Sequence, residues 1–221
     1  MRPFNPRRRK GRVPIPPERR EGGRYPPSRP RVLVLTARVG GGHEAVGRTV
    51  AAELVAAGYE VESHDGLRAM GRGLNWAVSA GYRSQARRRR PASLGAVFAI
   101  TGHPAGAAGV RRAVGLSHAG RLMRLIDRVE PDAVISTYPL VTAALGRLRL
   151  AGSLSTPALA VIPDYGVHPL WVVPGLDLHL VASAASARLA AAAGGPGPSR
   201  SGCRWPRASP TPRTGTRPAA P

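Results

Sequence analysis

The sequence predicts an α/β fold, a parallel sheet with helices on both faces. Two observations predict it. Four short runs rich in Val, Leu, Ile and Ala, and a fifth that alternates, are interleaved with stretches whose apolar residues recur every three or four positions. Glycine and proline punctuate the boundaries, as at Gly58 and Pro131.

The first run, residues 31–36, reads Arg-Val-Leu-Val-Leu-Thr and has the β-branched and aliphatic content of a buried strand. Residues 44–57 follow as a helix, with Val46, Val50 and Leu54 spaced by four, Ala51 and Val55 beside them, and Gly58 as the stop. Residues 60–65 alternate like a second strand. Residues 67–112 resist assignment: they are Gly-rich, carry Trp76, Tyr82 and Phe98, and are split by Arg87, Arg88, Arg89 and Arg90. A helix with Leu116, Leu122, Leu125 and Val129 on related faces comes next. Strands are predicted at 133–137, 157–162 and 178–182. A helix at 140–150 turns Leu145 and Leu148 inward, and another begins at 184–193. No internal repeat is visible.

The ends of the chain differ from its middle. Residues 1–31 hold eight of the 23 prolines, eleven Lys or Arg and two acids, and residues 194–221 hold seven prolines, five arginines and no acid. Neither end has a periodic apolar pattern able to offset ordering entropy. The expected domains are therefore a basic disordered tail at 1–30, one compact domain at 31–193, and a second disordered tail at 194–221. Over residues 32–193, 17 arginines stand against 10 acids, a net of +7 out of the chain's +21.

Of the 33 basic residues only Lys10 is a lysine. Such a balance suits a nucleic-acid binder, but GC-rich codon usage produces the same Ala/Gly/Pro/Arg bias. No Cys/His finger, aromatic RNA-binding strand or basic-region heptad accompanies it, so no specific nucleic acid is expected. The single cysteine, Cys203, excludes an internal disulfide and a cysteine-based metal site, which suits a cytosolic setting. No apolar run approaches the roughly 18 residues of a membrane span. The basic N-terminus leads into no signal-peptide core. The expectation is a soluble or peripheral protein.

In parallel sheets ligands collect at the carboxyl ends of the strands. Three stretches fall there: Val39-Gly40-Gly41-Gly42-His43 after the first strand, Ser136-Thr137-Tyr138-Pro139-Leu140 after the third, and residues 163–171, PDYGVHPLW, after the fourth. The glycine loop matches neither the P-loop nor the dinucleotide fingerprint. It reads as a tight turn with a solvent-facing histidine, or as a close-approach site. In the second reading His43, at a helix N-terminus, is kept neutral and able to accept a proton. Asp164 and His168 could orient one another or a substrate hydroxyl, or lie in a loop that Trp171 packs down. No third ligand for a metal is evident. The hydroxyls of Ser136 and Thr137 suit capping of the next helix. His64, His103, His118 and His179 form no usable arrangement. Leu74, Trp76, Val78 and Tyr82, followed by Arg83 and Arg87 to Arg90, could be an apolar wedge beside cations that meets anionic lipid headgroups, or a packed helix with a solvated basic turn.

Taken together, the glycine-triplet-plus-histidine loop, STYPL and DYGVHPLW resemble the amino-terminal domain of the monogalactosyldiacylglycerol synthase and processive diacylglycerol glucosyltransferase family. These are GT-B glycosyltransferases, more distantly similar to the peptidoglycan GlcNAc transferase. The resemblance runs over about residues 31–193 and implies a Rossmann-like sheet forming the amino-terminal half of a GT-B fold. It implies a lipid acceptor held at an anionic membrane surface, on the inner face of the plasma membrane, and a UDP-sugar co-substrate held by a second domain, with no other cofactor. It makes His43 the first candidate for the base of an inverting transfer, and Asp164 and His168 the second. Gly40, Gly41, Gly42, Ser136, Thr137, Tyr138, Tyr165 and Trp171 would bind substrate. Pro163 departs from the family's usual threonine. The pattern stops near Ala193, so the sequence reads as a truncated or frameshifted member whose donor domain is missing, or as a one-domain protein that works with a separate donor subunit. The rival class is a basic module that binds anionic lipid or nucleic acid without chemistry.

Overall fold

Aliphatic strands that bury both faces need helices on both, and the chain supplies them in alternation. A computed structural model describes residues 29–39, 41–87 and 100–194. Within them run β1 (Arg31–Thr36), α1 (Gly42–Ala56), β2 (Glu60–Asp65), α2 (Gly66–Met70), α3 (Arg72–Arg87), α4 (Pro104–Val129), β3 (Ala133–Ser136), α5 (Pro139–Leu150), β4 (Ala158–Ile162), β5 (Leu178–Val181) and α6 (Ala184–Ala192). The five strands form one sheet in the order β2-β1-β3-β4-β5, and every pairing is parallel. This is the predicted α/β architecture, a Rossmann-like sheet of the kind that forms the amino-terminal half of a GT-B fold.

Alternation along the strands sorts the core into two faces. Leu33, Leu35, Val134, Ala158 and Ala160 point to one side, where α2, α4 and α5 cover them with Leu67, Leu122, Ile126, Val141 and Leu145. Val32, Val34, Ile135 and Val161 point to the other, against Val46, Val50, Ala51 and Leu54 of α1. Each buried Leu or Ile contributes roughly 1.5–3 kcal/mol relative to its exposed state. Two expectations about facing are corrected. Val55 is 59% exposed, so the apolar face of α1 ends at Leu54. Leu116 is 58% exposed, because α4 presents Gly115, Ala119, Leu122, Ile126 and Val129 to the core, and position 116 lies beside that stripe.

The described residues of the stretch without a sequence assignment, 67–87 and 100–112, are mostly helical. Asp65 accepts a hydrogen bond from the Arg68 amide and caps α2, and Gly71, at φ 147°, breaks the chain between α2 and α3. Pro104 starts α4 as its first helical residue. Gly40, residues 88–99 and both chain ends lie outside the described residues. So do the side chain of Arg87 and the whole of Arg88, Arg89 and Arg90.

The strand order places the crevice. From β1 the chain crosses to β2 on one side, and from β2 it crosses back past β1 to β3 on the other. The loops after β1 and β3 therefore diverge at their carboxyl ends, and ligands of such sheets bind where the order reverses.

Candidate functional site at the β1/β3 crevice

His43 is the second residue of α1, one turn above the end of β1. Gly41 sets the entry angle: its φ of 73° lies in the left-handed region, and nothing stands within 4 Å of where a Cβ would be on Gly41 or Gly42. The imidazole is half-buried against two aromatic rings. Tyr138 meets it edge-on, with ring centroids 5.1 Å apart, and Trp171 lies tilted at 5.8 Å. The Thr137 hydroxyl donates to the His43 carbonyl at 3.1 Å and ties the loop after β3 to the start of α1.

Burial pushes the His43 pKa below its ordinary 6.5; the Asp164 carboxylate, and then the Thr137 backbone, oppose that shift. Its Nδ1 is buried and has no hydrogen-bond partner among the described residues. The Trp171 indole N–H donates to Asp164 Oδ2 at 2.8 Å. Trp171 itself is 2% exposed, so a rigid buried ring holds an exposed carboxylate within electrostatic reach of His43.

The loop after β4 is pinned from below. The Leu170 amide donates to His168 Nδ1 at 3.2 Å, which leaves Nε2 to carry the proton toward the Thr101 hydroxyl, also at 3.2 Å. Arg111 of α4 donates to the Pro169 carbonyl, and the Ser186 hydroxyl to the Tyr165 carbonyl. His168 thus helps to fix the 168–171 turn, and its partners differ from those of Asp164. Thr101 and Arg111 come from the stretch that sequence periodicity left unassigned, and no motif in the sequence marks them.

The remaining candidates divide by burial. Ser136 and Thr137 are fully buried. The Ser136 hydroxyl donates to the Tyr138 carbonyl and accepts from the Thr142 hydroxyl. Ser136 thus bonds to Tyr138, and Thr137 to His43. Tyr138 is 4% exposed, and burial, with Tyr82 and Asp65 nearby, raises its phenol pKa strongly. Tyr165 is 79% exposed at the rim. On α3, Trp76 is 68% and Tyr82 39% exposed, while Leu74 and Val78 pack on the core. Burial raises the pKa of Tyr82, and Asp164 adds to the shift, so Tyr82 lies within electrostatic reach of the site. His64 pairs with Glu62, His118 contacts the Met70 carbonyl, and His179 accepts from the Val173 amide. Among the described residues no group of three His, Cys, Asp or Glu could hold a metal ion. No helix there is long and apolar enough to cross a membrane.

Fold and site together define a parallel α/β domain whose switch-point crevice is built around a neutral-leaning imidazole. The family profile described as monogalactosyldiacylglycerol (MGDG) synthase matches residues 43–197, and the chain belongs to that family. A processive diacylglycerol beta-glucosyltransferase of Bacillus thuringiensis (strain Al Hakam) is 33% identical over 63 residues, which are 28% of this chain and 16% of that protein. Proteins of the same name from Bacillus cereus (strain AH187) and Bacillus anthracis (strain A0248) match with the same identity and coverage. The match therefore spans 16% of the length of these curated relatives. No solved structure matches the chain.

Proposed function

We propose that this domain is the acceptor half of a glycolipid glycosyltransferase. It would present the hydroxyl of diacylglycerol, or a related lipid, to a UDP-sugar held by a second α/β domain. The observation that carries the reading is the placement of His43 at the β1/β3 crevice, packed by Tyr138 and Trp171, with Asp164 alongside. With Nδ1 buried, Nε2 is the nitrogen left for substrate. It takes the proton of the acceptor hydroxyl as that oxygen attacks the anomeric carbon. The sugar–phosphate bond breaks on the opposite face, and UDP leaves with the bonding electrons. Asp164 would stabilise the imidazolium that forms. Gly41 and Gly42 leave the rim open for close approach of the hydroxyl. The lipid would arrive from the inner face of the plasma membrane, met by Trp76 and Tyr82 on α3 and by Arg87 to Arg90.

The test uses a fusion that supplies a UDP-sugar-binding domain in frame. The 221-residue chain alone is expected to transfer no sugar, and the fusion to transfer it. His43→Ala in the fusion should lower turnover by about 10²–10⁴-fold, the range for a lost general base, with lipid binding kept. A comparable loss from Asp164→Ala would mean that the two act as a unit. Near-normal turnover of His43→Ala beside an inactive Asp164→Ala would move the base to Asp164.

A further inference from the structure

Two adjoining clefts open beside the carboxyl end of β2, and His43 lines neither. The larger, about 550 Å³, is lined by Arg38, Arg68, Arg121, Arg124 and Arg128 among others. The smaller, about 310 Å³, shares Arg38 and Arg68 and adds Arg72. Four separate elements converge to make this group: the loop after β1, α2, α3 and α4. On α4 the spacing of three and then four sets three arginines along one face. An arginine-rich composition alone scatters cations over a surface. Here five line one cleft, and Arg72 lines the one adjoining it.

Little among the described residues neutralises them. Asp65 is the one carboxylate lining the clefts, and its Oδ1 is engaged by the Arg68 amide at the start of α2. Arg38 approaches Glu44 at 3.9 Å. Among the described residues the other five form no ion pair, and Arg121 reaches only the Met70 carbonyl, at 3.4 Å. Neighbouring guanidinium groups raise one another's electrostatic energy until an anion joins them, and their planar forks match phosphoryl oxygens in pairs.

We infer that this arginine cleft is a phosphoryl-binding site, separate from the acceptor crevice. It takes the phosphate of an anionic glycerophospholipid headgroup or of a soluble phosphate ester. Helix α3 links it to a bilayer contact. Arg72, Asn75 and Ser79 line the smaller cleft from one face of α3, and Trp76, 68% exposed, stands on the next. The sequence places anion contact on Arg87 to Arg90; the cleft assigns it to residues far apart in the chain. The inference does not rest on sugar transfer.

The test uses the whole chain and two probes: phosphatidylcholine vesicles with and without phosphatidylglycerol, and soluble sn-glycerol 3-phosphate. Arg124→Gln with Arg128→Gln removes two exposed cleft charges. Arg7→Gln with Arg8→Gln removes two from the basic N-terminus. The cleft pair should weaken binding of at least one probe about ten-fold, as expected for lost charge-assisted hydrogen bonds. The N-terminal pair should weaken it about two-fold or less, since it changes only the screened overall attraction. A loss confined to vesicles makes the ligand a lipid headgroup, and a loss seen with glycerol phosphate makes it a soluble ester. Equal losses from both pairs, or no binding of either probe, would overturn the site. Should the glutamine pair misfold, Arg124→Lys with Arg128→Lys keeps charge and stem, and must still cost about three-fold. His43→Ala should leave these affinities unchanged, which separates failure here from failure of the acceptor reading.

Discussion

The chemistry of the crevice comes down to how His43 is held. Its burial disfavours the imidazolium, and the Asp164 carboxylate only partly offsets this, so the folded-state pKa lies below 6.5. The sign of the linkage follows. As pH falls through 6.5 the unfolded chain takes up the proton first, so His43 removes stability between 6.5 and its folded pKa, and no more below that. Above 6.5 both states hold it neutral and the penalty is absent. A proton-detected titration of the imidazole should therefore give a midpoint below 6.5. Asp164→Asn should lower that midpoint further, because it deletes the main interaction favouring the charged form. A midpoint that rises in Asp164→Asn would mean that the carboxylate does not face the ring.

At the scale of elements, close backbone approach shapes the domain as much as apolar bulk does. Helix α1 crosses β1 at Gly47, where a Cβ would collide with the Thr36 methyl group. Gly47→Ala should cost about 1–3 kcal/mol in urea unfolding, the range for overpacking. Thr36→Ser, which removes that methyl, should recover part of the loss in the double variant. Gly73→Ala on α3, where no atom lies within 4 Å, should cost nothing. Equal effects at Gly47 and Gly73 would contradict the packing described for α1.

The same feature explains what was legible in the sequence. Strands β1 and β2 fall on the residues their patterns marked, because an aliphatic run (β1) and a period-two alternation (β2) between turn residues both carry a signal. The three rim loops lie where the strand ends put them. Helices α2 and α3 and the first half of α4 were obscured for physical reasons. Helix α2 has five residues, too few for a period to show. The second half of helix α4 was marked by Leu122, Leu125 and Val129, but its first half buries Ala107, Gly115 and Ala119 by close contact instead of by large side chains, and Leu116 faces solvent. That gap hid Thr101 and Arg111, which hold the loop of His168, and it hid the arginine cleft. The cleft is a meeting of four elements that no local pattern encodes.

On the scale of the whole molecule, the sheet order decides where chemistry can sit. The β2-β1-β3 reversal brings together His43 from position two of α1, Tyr138 at the cap of α5, and the Trp171–Asp164 pair beyond β4. The arginine cleft occupies the neighbouring β2 edge, so acceptor and anion would meet one side of the domain. The central claim is that the crevice at His43 receives the lipid hydroxyl. The most direct measurement is the imidazole spectrum of the 221-residue chain as dioctanoylglycerol is added below its micellar range. The account predicts saturable shifts of the His43 ring signals, with those of His64, at the β2 edge, unmoved, and loss of saturable binding in a Trp171→Ala variant that still folds. Saturable binding that leaves His43 unshifted, or that survives in Trp171→Ala unchanged, would contradict it.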